Sequence, residues 1–332
     1  MSNEKKDDKH KAPDAHTQEV WSRVQLARHP ERPHTLDYIR QIFTDFVELH
    51  GDRAYGDDPA LIGGLARLGE QTVLVLGHQK GANTKENVAR NFGMALPEGY
   101  RKALRLMRHA EKFGFPVVTF IDTPGANPGL QSEERGMALA IADDLLAMLT
   151  LRVPVVAVVI GEGGSGGALA ISLADRILIL ENAIYSVASP ESAAAIMWHT
   201  AAQAPRAAEA MRIGAQDLLT FGIADRLIPE PEGGAHTDVP LIMERVGTAI
   251  REELDSLEQA LGKRRDANMR KLLAARRAKY MHIGVFTDAG TPASPVPGET
   301  GKRRNGRGNH DSLPPSGVDV LPSELPTGED HA

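Results

Sequence analysis

The sequence of 332 residues contains no cysteine. That absence excludes a disulfide framework, a thiolate nucleophile, an iron–sulfur cluster and any cysteine-based zinc site on this chain. Metal chemistry could rest only on histidine and carboxylate side chains, and we predict no metal site. No apolar run approaches the roughly 18 to 20 residues that span a membrane, and the first residues are charged. The sequence therefore predicts a cytoplasmic protein with no membrane partner.

The chain also lacks a strong charge of one sign. The formal net charge is −6, so the overall charge does not favour nucleic acid as a partner. Both ends differ from the middle: residues 1–20 are charged without an apolar period, and residues 287–332 are rich in Pro, Gly and Ser. Such segments bury too little apolar surface to order themselves. We predict disordered tails at 1–20 and 287–332 and one folded domain over residues 21–286.

Apolar runs of two kinds alternate inside this domain. Continuous β-branched runs predict buried strands at residues 71–77, 116–122, 153–160 and 176–180. Amphipathic patterns predict helices over residues 100–113 and 132–149, and helical structure over 241–281. The last helices carry many Lys and Arg, which we interpret as a solvated face, with a basic surface for phosphates or a partner as the alternative. Strands that alternate with helices predict an α/β fold.

Residues 161–167 hold five glycines in seven positions. We expect a turn here between a buried strand and a helix, because glycine allows close backbone approach and positive φ. The first amides of the following helix have no intrahelical partner and carry the positive end of its dipole. The segment therefore predicts an anion or oxyanion site.

Two side-chain motifs also match this segment. Gly161, Gly163 and Gly166 fit the dinucleotide pattern G-x-G-x-x-G, with Glu181 as the ribose-binding acid. Ser165 is the central residue of a G-x-S-x-G nucleophile elbow, although nothing in the sequence ties an acid and a histidine to it. The third interpretation, in which the backbone amides alone donate to a developing oxyanion, fits five glycines better than either motif.

A companion turn follows the strand before. Asp122 to Gly125 imitates the D-x-x-G of a GTPase, but the chain has no phosphate-binding loop of the type G-x-x-x-x-G-K-[ST]. Two consecutive units of strand, turn and helix place their turns on the same edge of a sheet. We therefore expect the substrate to lie in a crevice between the two turns.

Long words of the sequence resemble the alpha subunits of the bacterial multi-subunit acetyl-CoA carboxylase carboxyltransferase. The words are ARHP at 27–30, GDRAY at 51–55, GHQKG at 77–81, RNFGM at 90–94, PEGYRKA at 97–103, TFIDTPG at 119–125, GEGGSGGAL at 161–169 and IPEP at 228–231. They run in the family's order from about Leu26 to Gly284. The resemblance implies a crotonase-like (ClpP/crotonase) fold, a superhelix of β-β-α units with C-terminal helices.

The same resemblance implies the reaction and its partners. The carboxyl group passes from carboxybiotin, held on the biotin carboxyl carrier protein, to acetyl-CoA and gives malonyl-CoA, the first committed step of fatty acid biosynthesis. Biotin carboxylase belongs to the same ATP-dependent complex. A β subunit completes the active site in an α2β2 heterotetramer, and the zinc ribbon belongs to that β chain. This chain is expected to carry no covalently bound cofactor.

The site residues predicted from the resemblance and from the crevice fall into two groups. The amides of Gly166 and Gly167 form the oxyanion hole, and Gly163 and Gly164 shape the approach to it. The predicted substrate-binding residues are Lys80, Arg101, Asp122, Gly125 and Arg135.

The chain departs from the family's pattern at Asn127 and Met137, beside the predicted crevice. A carboxyltransferase subunit for another acyl-CoA is therefore an alternative. A stand-alone crotonase-like enzyme is another, and it would need a carboxylate near the glycine amides, for which Glu162 and Glu191 are the candidates.

Overall fold

The computed structural model describes residues 14–284. Within that range one mixed sheet of eight strands forms the centre, in the order β1-β2-β3-β4-β5-β6-β8, with β7 paired to β5. The strands are β1 Thr44–Glu48, β2 Leu61–Leu68, β3 Gln71–His78, β4 Val117–Thr123, β5 Val155–Gly164, β6 Arg176–Leu180, β7 Ile184–Ser186 and β8 Arg226–Ile228. The first three strands pair antiparallel, and the pairs from β3 onward are parallel.

Twelve helices surround the sheet in the described part of the chain. They are α1 Ala15–Ala27, α2 Thr35–Ile42, α3 Thr84–Ala89, α4 Pro97–Phe113, α5 Leu130–Glu134, α6 Met137–Thr150, α7 Ser165–Leu169, α8 Pro190–Trp198, α9 Ala204–Met211, α10 Ala215–Thr220, α11 Val239–Leu261 and α12 Arg265–Met281. Two short 3₁₀ turns lie at Asn91–Gly93 and Ala201–Gln203.

The predicted strands and most predicted helices are present because their patterns suit their surroundings. Every residue of β4 and of β5 is buried, as expected for β-branched runs in the centre of a parallel sheet. In α4, Pro97 occupies the first turn, where its missing N–H leaves no hydrogen bond unmade, and Gly114 ends the helix in the left-handed region. The predicted helical segment 241–281 is the pair α11 and α12.

Two boundaries differ from the prediction. The helix expected over residues 132–149 is two helices, α5 and α6, because Gly136 takes φ 79 between them and the helical hydrogen bonding stops there. The tail predicted at 1–20 also ends too late. α1 starts at Ala15, with Asp14 capping its N-terminus and Thr17 buried. Residues 1–13 and the predicted tail at 287–332 lie outside the described residues.

A buried ion pair fixes α12 to the amino end of β5. The Arg276 side chain is fully buried and donates to both carboxylate oxygens of Asp175, at 2.8 and 2.6 Å. Its remaining N–H groups donate to the carbonyls of Met148, Leu151 and Val153 at 2.7 to 2.9 Å. Asp175 in turn accepts from the amide of Val155 at 2.8 Å. All five donors of the guanidinium are satisfied, which is what makes burial of this charge tolerable.

Candidate active site

The glycine-rich segment is mostly strand rather than turn. β5 continues through Gly161 to Gly164, and α7 begins at the next residue. The strand extends this far because β7 pairs with it, Gly163 opposite Tyr185 and Gly164 opposite Ser186. The predicted turn is therefore wrong in its position: the chain changes direction at Ser165.

Most glycines here are required by packing inside the protein. A Cβ at Gly163 would overlap the Tyr185 ring, and one at Gly164 would overlap the carbonyl of Pro124. A Cβ at Gly167 would overlap the amide of Ala126. These glycines allow β5 and α7 to touch the neighbouring backbone directly.

Gly166 is different from its neighbours. A Cβ at this position would meet only the side chain of Ile141, at 3.8 Å, which is an ordinary contact distance. Gly166 is partly exposed, whereas Gly167 is buried. Its φ is outside the left-handed region, so neither backbone conformation nor packing within the described chain explains a glycine here.

The N-terminus of α7 is open. Its N-cap is Gly164, and within residues 14–284 no side-chain cap accepts a hydrogen bond from the first amides of this helix. Ser165, the first helical residue, is exposed and has φ 53. A left-handed conformation at a non-glycine residue costs roughly 1 to 2 kcal/mol. The sharp turn therefore presents uncapped amide donors at the end of a buried strand.

The crevice expected between the two glycine turns is closed. The backbone of Pro124 to Ala126 packs directly on Gly164 and Gly167, so no substrate fits between these segments. The Thr123 hydroxyl donates to the carbonyl of Gly125 at 2.7 Å and holds this turn from inside. An open cavity of about 260 Å³ lies beside the turn instead, lined in part by Arg28, His34, Lys80, Phe92 and Glu162.

Charged side chains form a cluster at the carboxyl ends of β3, β4 and β5. Lys80 Nζ lies 2.7 Å from Asp122 Oδ1 and 3.0 Å from Glu162 Oε2. Arg28 donates to Glu162 at 2.6 Å and to Glu191 at 2.6 Å. The Asp122 side chain is 3% exposed and that of Lys80 14%, so these charges interact with little water between them.

Mutual attraction decides the ionisation of this cluster. Burial opposes the charged form of Asp122, but the Lys80 ammonium outweighs it and holds the pKa of this carboxyl below its usual range. Burial likewise opposes the charge on Lys80, and Asp122 and Glu162 together raise the pKa of the ammonium. Both groups are charged at neutral pH, and each is already engaged with a protein partner.

Arg101 and Arg135, the other predicted substrate-binding residues, lie together in a separate cluster. Arg135 donates to both carboxylate oxygens of Glu98, at 3.2 and 3.1 Å, and its guanidinium lies over the Tyr55 ring. Arg101 donates to Asp52 at 2.7 Å and to the carbonyl of Arg135 at 2.9 Å. The structure thus joins Lys80 with Asp122 and joins Arg101 with Arg135.

The side-chain motifs do not assemble. Among residues 14–284, Ser165 lacks the hydrogen bond to a histidine that a nucleophile elbow requires. Glu181 accepts from the amide of Glu230 at 3.0 Å, so it supports the loop after β8 rather than a ribose site. Glu162 and Glu191, the carboxylates considered for a hydratase, are both paired with Arg28.

Sequence reasoning missed two contributors. Arg28 bridges Glu162 and Glu191 from the segment after α1, and the Ile141 side chain of α6 lies nearest to Gly166. The only available signal for Arg28 was its place in the matched word at 27–30. No signal could have paired it with residues more than 130 positions away. No group of three or more His, Asp or Glu that could hold a metal ion occurs in the described range.

The departures at Asn127 and Met137 have local structural roles. Asn127 Oδ1 accepts from the amide of Gly129 at 2.9 Å and from the hydroxyl of Ser132 at 3.0 Å, and so closes its own turn. Met137 is buried at the start of α6. No described helix is both long and apolar enough to cross a membrane.

Comparison with known proteins gives consistent results. A family profile described as acetyl co-enzyme A carboxylase carboxyltransferase-like matches residues 2–284. The acetyl-coenzyme A carboxylase carboxyl transferase subunit alpha of Thermus thermophilus is 54% identical over 268 residues, which are 81% of this chain and 84% of the relative. The subunit of the same name from Halorhodospira halophila is 60% identical over 234 residues, 70% of this chain and 74% of that one.

Solved structures share the fold. Transcarboxylase 12S with hydrolysed methylmalonyl-coenzyme A matches with a TM-score of 0.57 at 20% identity, over 75% of this chain and 47% of that chain. The likeness confirms the predicted crotonase-like α/β fold class. The sequence matches confirm the resemblance that the motifs indicated.

Proposed function

This chain belongs to the acetyl co-enzyme A carboxylase carboxyltransferase family as an alpha-type subunit, and from that premise we propose how its residues carry out carboxyl transfer. The reaction we assign moves a carboxyl group from carboxybiotin on a carrier protein to acetyl-CoA and gives malonyl-CoA. The observation that carries the site assignment is the open position of Gly166, which packing in this chain does not explain.

Gly166 would act through its backbone amide. Departure of the carboxyl group leaves negative charge on the ureido oxygen of the biotin ring, and an amide at the start of α7 can donate to that oxygen as charge develops. Such a donor is effective because the helix start is uncapped and the preceding strand β5 is fully buried. When bound, carboxybiotin supplies the carboxyl group and a base for the acetyl methyl group, so this chain needs no side-chain base.

Three other glycines would support this donor and would not leave room for the substrate: Gly163, Gly164 and Gly167. Their missing side chains let α7 and β5 pack on Tyr185 and on the turn from Pro124 to Ala126. The Gly167 amide remains our proposed second donor, because it too lies in the first turn of α7.

Arg101 and Arg135 are proposed as the cationic side of the substrate site. Their side chains are 25% and 16% exposed, and Arg135 is set at the break between α5 and α6. Guanidinium groups fixed by carboxylates present their remaining donors in one direction, which suits an acyl-CoA phosphate or the transferred carboxylate. Gly125 is proposed to contribute only through the turn that Thr123 holds.

The partner is proposed from exposed apolar side chains on two of the helices. α6 exposes Leu139 and Leu146 at 66% and 62%, and α8 exposes Ile196 and Met197 at 74% and 67%. Large apolar side chains grouped on exposed helices mark sites of protein association. We propose that a β-type chain covers them and completes the site in an α2β2 assembly. The zinc expected on that chain, the carrier protein, biotin carboxylase and the cytoplasmic location remain predictions from the family resemblance and the composition.

The test is carboxyl transfer by the Gly166→Val variant purified together with a β-type chain. The valine side chain would fill the space that the ureido oxygen must reach, and loss of one such donor interaction costs roughly 100- to 1,000-fold in rate. Gly56→Val is the matched control, because a Cβ at Gly56 meets nothing within 4 Å. The readout is carboxylation of biocytin that depends on malonyl-CoA.

The proposal predicts an assembled, inactive Gly166→Val complex and an active Gly56→Val complex. Activity of Gly166→Val within about tenfold of the unmodified complex, roughly 1.4 kcal/mol, contradicts the oxyanion assignment. Full activity of this chain without the β-type partner contradicts the shared site and favours a stand-alone crotonase-like enzyme.

A further inference from the structure

β5 contains an irregularity just before α7. Its pairing with β4 runs in register as far as Ile121 opposite Val159, and it resumes with Thr123 opposite Gly163. β5 therefore contains two residues more than β4 over this interval. A bulge of this kind bends a strand and re-aims whatever follows it. In this chain the residues that follow are the glycines and the amides at the start of α7.

Asp122 is the β4 residue that faces the bulge. Its Oδ1 accepts from the backbone amide of Glu162 at 3.1 Å. Gly161 has no side chain, and a Cβ there would overlap the same carboxylate oxygen. On the other side, Arg32 Nε donates to the carbonyl of Ile160 at 2.6 Å. The extra residues are thus held through their backbone, which is how an irregular segment keeps one conformation.

The neighbouring charges keep the carboxylate in this place. Lys80 Nζ lies 2.7 Å from Asp122 and 3.0 Å from the Glu162 carboxylate, and Arg28 binds the other oxygen of Glu162. Side chains in this cluster that bind one another so closely have little freedom to reach a substrate. Their contacts instead connect the bulge to β3 and to the segment after α1.

We propose that Asp122 is a positioning residue for carboxyl transfer: its carboxylate oxygen fixes the bulge in β5 and thereby aims the amides of α7 at the reacting oxygen. The inference rests on the function proposed above. In this inference Asp122 and Lys80 contact other protein groups, whereas the sequence predicted that they contact the substrate. Misplacement of a reacting group by about 1 Å is enough to reduce a rate on the order of 100-fold, so the effect is measurable.

Two substitutions separate the hydrogen-bond acceptor from the charge. Asp122→Asn keeps an oxygen in place for the Glu162 amide but removes the charge that faces Lys80. Asp122→Glu keeps the charge but moves the acceptor by one methylene group. If the acceptor positions the bulge, Asp122→Asn keeps kcat within about tenfold. Asp122→Glu then loses about 100-fold in kcat, while KM for malonyl-CoA stays within about threefold in both.

The experiment uses the complex with the β-type chain, assayed at a temperature where thermal unfolding shows every variant to be folded. Glu253→Gln is the matched control, because Glu253 also accepts from an arginine, Arg176 at 3.2 Å, but does so at the amino end of β6 and away from the bulge; its kcat should stay within about twofold. If one of the two Asp122 variants does not assemble, the other is compared with the unmodified complex and judged by its own expected kcat.

The outcomes distinguish this inference from the proposed function. Activity retained by Asp122→Glu and lost by Asp122→Asn shows that charge matters and position does not, which overturns the inference. Equal losses of kcat in both variants also overturn the inference. A raised KM with unchanged kcat overturns it too, because that result means that Asp122 contacts the substrate. Retained activity in Gly166→Val contradicts the proposed function itself, whereas an inactive Gly166→Val with a fully active Asp122→Glu overturns the positioning role alone.

Discussion

A carboxylate paired with a cation holds each end of β5, but the two pairs differ in burial and in the strand geometry that they support. At the amino end, Asp175 accepts from the Val155 amide and pairs with Arg276, and both side chains are buried to about 1% exposure or less. At the carboxyl end, Asp122 accepts from the Glu162 amide and pairs with Lys80, whose side chain is 14% exposed. One carboxylate holds a regular strand start, and the other holds a bulge.

The difference shows how one strand serves stability and chemistry separately. At the amino end the single cation meets one carboxylate and three carbonyls, so nothing is left to bind a ligand. At the carboxyl end Arg28 and Lys80 face Asp122, Glu162 and Glu191, next to a cavity and an uncapped helix start. Substitutions at the first end should change stability alone, whereas those that move the bulge at the second end should also change rate.

The largest effect is expected at Arg276. Arg276→Met leaves Asp175 buried without its charge partner and leaves three carbonyls without donors. Loss of one partner of a buried pair costs about 3 to 5 kcal/mol. Urea unfolding should show that loss of unfolding free energy, and kcat per folded complex should not change. A loss of less than about 1 kcal/mol would contradict the assignment of this end to stability.

A third buried carboxylate, that of Asp144, lacks within the described chain the partners that Asp175 and Asp122 have at the two ends of β5. Asp144 in α6 is fully buried, and within residues 14–284 neither of its carboxylate oxygens has a hydrogen-bond partner. Burial, with a smaller contribution from Asp143, raises the pKa of this carboxyl well above its usual value. The ionised form therefore lowers the stability of the fold. An unsatisfied buried polar group costs about 1 to 3 kcal/mol.

Asp144→Leu should thus increase the free energy of unfolding by about 1 to 3 kcal/mol at pH 8. A raised folded-state pKa means that the unmodified protein is penalised above the unfolded pKa of about 3.9, and increasingly so as pH rises toward the folded value. The gain should shrink as the pH falls toward 4. Urea titrations at pH 8, 6 and 4 measure it, and a gain that grows on acidification would be inconsistent with this origin.

Asp122 should give the opposite pH dependence at the carboxyl end of β5. The pKa of its carboxyl is held below the usual value, with burial opposing and Lys80 prevailing, so its ion pair stabilises the fold above the unfolded pKa of about 3.9. That contribution is lost as pH falls through the lowered folded value. The difference in unfolding free energy between the unmodified protein and Asp122→Asn should therefore be largest near neutral pH and shrink below about pH 4. A difference that does not change between pH 7 and 3 would argue against an ionised Asp122.

The smallest effect is expected at Ser165. Its φ of 53 is tolerated without strain by glycine, so Ser165→Gly should raise the unfolding free energy by about 1 kcal/mol. Ser165→Ala keeps the left-handed strain and serves as the control. Thermal unfolding of the two variants decides, and equal stabilities would show that the turn carries no strain.

Much of the fold could be predicted because its signals are local. The run at 117–123 is buried on both faces, which its β-branched residues indicated, and α4 begins and ends at its Pro97 and Gly114 signals. The break between α5 and α6 at Gly136, in contrast, could not be predicted from local signals. A single glycine inside an apolar pattern is compatible with a continuous helix, and only the packing of α5 and α6 selects the left-handed conformation.

In the candidate site, too, some features follow from local sequence and others only from the tertiary structure. The sequence by itself determined the glycine segment, its place after a buried strand, and the family through long matched words. It gave no means of separating Gly166 from Gly164 and Gly167, because the atoms that those two glycines exclude belong to Pro124 and Ala126, some 40 residues earlier in the chain. The tertiary structure also decided that Asp122 and Lys80 face protein groups. Hydrophobic pattern and glycine content act over a few neighbouring residues, whereas charge pairing and close backbone contact depend on which strands the sheet brings side by side.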